Sequence, residues 1–351
     1  MEKPRTAIKG RGASGNPRER FEKLARDRED VEQIEPAPGT VITLTQARTI
    51  VSRNDSPDLP FSQSINPYQG CEHGCIYCYA RPSHAYLGLS PGLDFETRIF
   101  AKENGAALLR KELSHPDYVC ELISLGANTD PYQPAERKQR ITRSILEVLW
   151  EFRHPVGIVT KGSLIERDLD LLEPMAREGL AQVFVSIGTL DGEIVRTLEP
   201  RAAAPYRRVE TVRRLSARGV PCGVLVAPMI PFLNDKDMEA VLEAVADAGA
   251  RMAGYTLLRL PWEVKGLFKS WLEQHAPLKA ARIMARIRDM RGGRENDPEF
   301  GSRMRGEGQY AELLRERFRV ACKRLGLNAD KRFRLDAGKF RRPQAPQGSL
   351  F

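Results

Sequence analysis

Asn66-Pro-Tyr-Gln-Gly-Cys71-Glu-His-Gly-Cys75-Ile-Tyr-Cys78-Tyr79 places three cysteines in a C-x3-C-x2-C spacing, on a loop punctuated by Gly70 and Gly74. The spacing is informative because it is incomplete. A structural zinc site takes four protein ligands, and a cubane iron–sulfur cluster is normally held by four thiolates. Three closely spaced thiolates hold three irons of a cubane and leave the fourth open. An open metal position separates a site that does chemistry from one that only staples a fold. The competing reading is a zinc knuckle closed by His73 or His84.

Outward from this loop, residues 62–262 alternate short apolar runs with amphipathic stretches. The runs are 62–68, 118–126, 155–161, 181–189, 221–230 and 251–260. Most are nearly continuous Val, Ile, Leu and Phe, as strands buried on both faces should be. Between them, Ile141, Ile145, Val148, Leu149 and Phe152 share one helical face, as do Met238, Val241, Leu242 and Val245. A repeat of roughly 30–35 residues suits βα units and a parallel sheet. Six units are too few for a closed eight-fold barrel, so the expected fold is α/β, an open partial (βα)6 barrel. Its active site would sit at the C-terminal mouth, where the residues following the runs are polar.

The cysteine loop resembles the signature of the radical S-adenosylmethionine (radical SAM) superfamily, with Tyr77 as the aromatic before the last cysteine. The run Tyr77-Cys78-Tyr79 and the strand ends downstream look most like the spore photoproduct lyase-related branch. That branch is similar at a Thr-Ser-Asp-like turn (here Asn128-Thr129-Asp130), a Val-Thr-Lys end (Val159 to Lys161), a Phe-Ser-Ile strand (Ser186 following Phe184-Val185) and a Val-Ala-Pro strand (Ala227-Pro228). The resemblance covers residues 62–262. It implies a 4Fe-4S cluster on Cys71, Cys75 and Cys78, S-adenosylmethionine on the open iron, and an electron donor such as flavodoxin or ferredoxin. Reductive cleavage of the cofactor would yield methionine and a 5′-deoxyadenosyl radical that abstracts a substrate hydrogen.

Against that zwitterionic cofactor, the Asn128, Thr129 and Asp130 turn suits the ammonium and Lys161 the carboxylate. Ser186 suits carboxylate or ribose, and Ala227-Pro228 offers a flat edge and a carbonyl for adenine. Tyr77 would touch the cofactor, and Tyr79 would line the substrate channel or relay a hydrogen atom. One position departs from the pattern. Lyases of this branch carry a cysteine after the second strand as a hydrogen donor, and here Ala127 stands there, with Cys120 at the far end of the same run.

The flanks read differently. Residues 1–40, rich in charge, Gly and Pro, are expected to be disordered or loosely attached. Their Gly10-Arg-Gly12-Ala-Ser-Gly15 matches the dinucleotide fingerprint but lacks a preceding strand, and so reads as linker. The core is assigned to 41–262, a helical extension to 263–330 and a flexible basic tail to 331–351. Residues 251–351 hold 23 Lys/Arg against 11 Asp/Glu in a chain of net charge +9, a candidate polyanion-binding surface. Arg282, Arg286, Arg305, Arg315, Arg319, Lys323 and Arg324 recur there among apolar helix positions. A nucleic-acid substrate is therefore the leading expectation. A protein or peptide substrate, or a non-catalytic zinc-binding nucleic-acid module, are the alternatives. Cys120, Cys222 and Cys322 sit among apolar residues and are expected to pack as small hydrophobes. No apolar run reaches the ~18 residues of a membrane span, so a soluble, cytoplasmic protein is expected.

Overall fold

The structure, a computed structural model, describes residues 7–21, 39–329 and 335–343. Ten strands are present there: β1 Val41–Thr45, β2 Val51–Arg53, β3 Gln63–Ile65, β4 Tyr68–Gln69, β5 Arg98–Lys102, β6 Ile123–Leu125, β7 Val156–Thr160, β8 Ala181–Ser186, β9 Cys222–Met229 and β10 Met252–Leu257. The main sheet runs β10-β9-β8-β7-β6-β3-β2. Its six strands β3 and β6 to β10 are parallel, in chain order, and β2 pairs antiparallel with β3. The sheet does not close on itself, and the six parallel strands fall within the six apolar runs. Both expected helical faces point inward: Ile141, Ile145, Val148, Leu149 and Phe152 are buried, and so are Met238, Val241, Leu242 and Val245.

Every run is longer than its strand, and in two of them the surplus does something else. The first breaks at Asn66-Pro67, and Tyr68–Gln69 crosses to a second sheet, β1-β5-β4. In the second, Val119 is exposed and Cys120 half-buried, so apolar letters there do not mark a strand. Cys222 and Cys322 are buried.

The free edge of β10 is covered by the C-terminal extension. The Asn328 side chain accepts from the Ala253 amide and donates to its carbonyl, both at 2.9 Å, and the Leu257 amide donates to the Met304 carbonyl at 3.0 Å. An edge strand with satisfied amides offers no template for further pairing. Within this extension, several cations expected to face a polyanion are paired instead. Arg286 meets Asp289, Arg315 meets Glu312, Arg319 meets Glu316 and Arg324 meets Glu243, while Arg282 lies over the Phe232 ring at 3.9 Å.

Among the described residues, parts of both ends pack against the rest of the chain. Arg11 and Ala13 are buried, and the Gly12 and Ala13 amides donate to Glu96 at 3.0 and 2.9 Å. Gly12 is no linker residue, because a Cβ there would fall 1.9 Å from the Gly74 carbonyl oxygen. In the tail, Phe340 packs on Tyr118, Phe152 and His154, and the Arg341 amide donates to the Phe152 carbonyl at 3.0 Å. Residues 1–6, 22–38, 330–334 and 344–351 lie outside the described residues.

Candidate active site

The cysteine loop is built on backbone geometry and one buried arginine. Gly70 and Gly74 adopt φ of +82° and +67°, which L side chains rarely take. The Cys71 amide donates to the Phe95 carbonyl at 2.9 Å, and the Ile76 amide to the Leu198 carbonyl at 3.1 Å. Arg81, fully buried, donates to the carbonyls of Cys75 (2.8 Å), Gly74 (3.1 Å), Pro91 (3.0 Å) and Gly92 (2.9 Å), and pairs with buried Glu96. The same Glu96 receives the Gly12 and Ala13 amides. One carboxylate therefore joins the N-terminal segment to the arginine that shapes the loop.

The three thiols are free and close enough to act on one another electrostatically. Burial, then Asp130 and the other two cysteines, push Cys71 up, and burial pushes Cys75 up to about 12 despite Lys161 beside it. Thiols gathered in a dry site resist ionisation until a cation arrives, and a bound metal reverses this. The two histidines that could close a zinc knuckle are engaged with other groups. His73 Nδ1 lies 3.3 Å from Asp130, and His84 Nε2 lies 3.0 Å from the Arg98 carbonyl. Among the described residues no three His, Cys, Asp or Glu converge on a single-ion site. Three thiols are the kind of donor set that a cluster taking one thiolate per iron uses.

Around the thiols stand residues from several strand ends. Lys161 follows β7, with Nζ 5.9 Å from the Tyr77 ring centroid. Burial alone would lower its pKa, but Cys75, Glu199 and Asp130 push it up to about 12. Buried Glu199 accepts from the Tyr77 hydroxyl and pairs with buried Arg208, which also donates to the Ser186 carbonyl at 3.0 Å. This Glu199–Arg208 pair was not anticipated. Its one sequence signal is Tyr77, since a buried phenol needs a partner.

The turn after β6 serves the fold more than expected. Thr129 Oγ1 donates to the Tyr68 carbonyl at 2.7 Å, and the Asn66 side chain accepts the Asn128 and Thr129 amides. Asp130 accepts from Thr160 Oγ1 and the Lys161 amide, both at 2.7 Å, and from the Tyr132 amide at 2.9 Å. Burial would raise Asp130, yet His73 and these donors hold it down at about 2. Its side chain is thus committed to positioning β7, leaving the Asn128 amide side chain without a protein hydrogen bond among the described residues. Ser186 Oγ donates to the Ala227 carbonyl at 3.2 Å, so two expected ligand groups engage each other through one of that oxygen's two lone pairs. Tyr79 is 48% exposed and its hydroxyl donates to the Ala127 carbonyl.

Polar strand ends thus surround a loop that carries three free thiols. The sequence signature described as "Radical SAM superfamily" matches residues 65–245, and the chain belongs to that superfamily. An uncharacterised protein of Mycobacterium tuberculosis (strain ATCC 25618 / H37Rv) is 36% identical over 277 residues, covering 78% of this chain and 77% of the relative. An uncharacterised protein of Methanocaldococcus jannaschii is 25% identical over 213 residues, 61% of this chain and 76% of the relative. Among solved structures, spore photoproduct lyase complexed with dinucleoside spore photoproduct shares the fold, with a TM-score of 0.58 at 15% identity over 84% of this chain and 86% of that one. No described helix is long and apolar enough to cross a membrane.

Proposed function

We propose that the chain holds a 4Fe-4S cluster on Cys71, Cys75 and Cys78, binds S-adenosylmethionine beside it, and abstracts a hydrogen atom from a nucleic-acid substrate. The observation that carries this reading is the thiol loop itself: three free thiols that act on one another electrostatically, with the Lys161 ammonium beside Cys75. When bound, the cluster and cofactor supply reductive cleavage of the sulfonium C–S bond, using one electron from a flavodoxin- or ferredoxin-type donor, and the resulting carbon radical takes the hydrogen.

The chain's own part is positioning and exclusion of water. Arg81 and Glu96 fix the loop, Lys161 neutralises the cofactor carboxylate, and Tyr77, oriented by Glu199, walls the cofactor. Asn128 presents its side chain to the ammonium, while Thr129 and Asp130 hold the turn and leave it backbone carbonyls to offer. Ser186, Ala227 and Pro228 meet the ribose and adenine, and Tyr79 lines the substrate side. The nucleic-acid reading is supported by the excess of Lys and Arg after residue 250 and by the dinucleoside spore photoproduct bound in the lyase with this fold. The lyase reaction itself is not proposed, since Ala127 replaces the hydrogen-donating cysteine. The test is anaerobic reconstitution with iron. Wild type should bind about four irons and form 5′-deoxyadenosine with a reductant, Cys75→Ala should lose the cluster, and Cys222→Ala should keep it. A colourless protein with one tightly held zinc overturns the proposal.

A further inference from the structure

Arg259 follows β10 at the mouth and is pinned on both sides. Leu258 and Leu260 are buried, the Leu258 amide donates to the Met229 carbonyl at 3.0 Å, and the Leu260 amide to Asn296 Oδ1 at 3.1 Å. Its guanidinium carbon lies 5.5 Å from the centroid of the Tyr79 ring, within cation–π range. Tyr79 is the residue after Cys78, and its hydroxyl is committed to Ala127, so the charge faces a ring anchored on the cysteine loop. Arg259 Nε is buried with no acceptor, and no carboxylate forms an ion pair with the guanidinium among the described residues.

Its neighbours are satisfied by contrast. Arg303 meets Asp58 at 2.6 Å and Ser56 at 2.7 Å, and Arg291 donates to the Leu258 carbonyl at 2.5 Å and the Arg303 carbonyl at 3.1 Å. Burial and the charge of Arg303 push Arg259 below its ordinary value, with Tyr79, Asp58 and Asp297 offsetting only part. A partly buried guanidinium left without an anion is costly, and its cost is relieved by a ligand that brings one. Its planar fork suits a phosphate, and the positive surroundings favour a strong anion over a neutral acceptor.

We propose that Arg259 is the anion-binding residue of the substrate site, taking a phosphate oxygen of the nucleic acid and seating the adjoining nucleotide beside Tyr79. This rests on the nucleic-acid reading above and specifies where that substrate is gripped. The probe is the dinucleoside monophosphate TpT and its neutral methylphosphonate isostere, titrated by calorimetry into the reconstituted wild type, Arg259→Gln and Arg259→Lys. Wild type should prefer the charged linkage by about tenfold or more, Arg259→Gln should bind the two within about twofold, and Arg259→Lys should keep part of the preference. Iron content and melting temperature check that the variants are folded, and Arg259→Lys still reads the contact if Arg259→Gln is not. Equal binding of the two probes by wild type, or an unchanged preference in Arg259→Gln, overturns the proposal. A wild type that takes up no iron defeats the cluster reading instead, and the charge preference of that same protein still reports on Arg259.

Discussion

Replacing Gly12 by alanine would set a methyl carbon 1.9 Å from the Gly74 carbonyl oxygen and 3.3 Å from Glu96 Oε1. An ordinary carbon–oxygen contact is longer by more than an ångström, so either the N-terminal segment lifts or the cysteine loop moves. Lifting breaks the Gly12 and Ala13 bonds to Glu96, each charge-assisted and worth ~1.5–3 kcal/mol. Staying in place costs about 1–3 kcal/mol of overpacking. The cheaper route sets the observed effect, so we expect a loss of about 1–3 kcal/mol, a fall in Tm on the order of 5 °C, and reduced cluster retention, because Gly74 adjoins Cys75. The assay pairs thermal unfolding and iron content with amide exchange at residues 12 and 13. Gly39→Ala, with nothing within 4 Å of the added carbon, is the control. Unchanged Tm, iron and exchange in Gly12→Ala would refute the inference that this segment braces the loop.

Lys161→Ala should weaken S-adenosylmethionine binding about ten- to a hundred-fold while iron stays bound, and an unchanged dissociation constant would remove Lys161 from the cofactor site. His154, fully buried between the Tyr118 hydroxyl at 2.8 Å and the Pro155 carbonyl at 3.0 Å, is held down at about 4 by burial. The unfolded chain protonates it near 6.5 and the folded chain only near 4, so its stability contribution is full above pH ~6.5 and is lost as pH falls toward 4, on the order of 3 kcal/mol in all. His154→Asn should therefore show a shallower decline of Tm between pH 6.5 and 4.5 than wild type, and parallel profiles would count against the assignment.

What the sequence made legible follows from which forces leave a pattern in it. Strands buried on both faces are apolar nearly throughout, so the five-residue β7 stands out as Val-Gly-Ile-Val-Thr, paired in parallel with β6 and β8. The break at Asn66-Pro67 is equally visible, but that Tyr68–Gln69 joins a different sheet depends on β5, thirty residues away. The N-terminal segment looks solvated because it docks through backbone amides and arginine, which carry no hydrophobic period. In the described part of the basic tail the anchor is Phe340, a lone aromatic that makes no period.

Charge shows the same limit from the other side. Summing Lys and Arg after residue 250 marks a basic region, yet Arg286 with Asp289, Glu312 with Arg315 and Glu316 with Arg319 stand three residues apart and neutralise one another on their own helices. That spacing can be read directly, and it shrinks the free charge that counting suggests. Arg259 is the reverse case: one of 55 basic residues, in no helix and no motif, and set apart only because the fold buries its Nε and supplies no acceptor. A cation that the chain satisfies is part of its architecture, and one that it leaves unsatisfied at the mouth of a barrel is a place for something the chain does not contain.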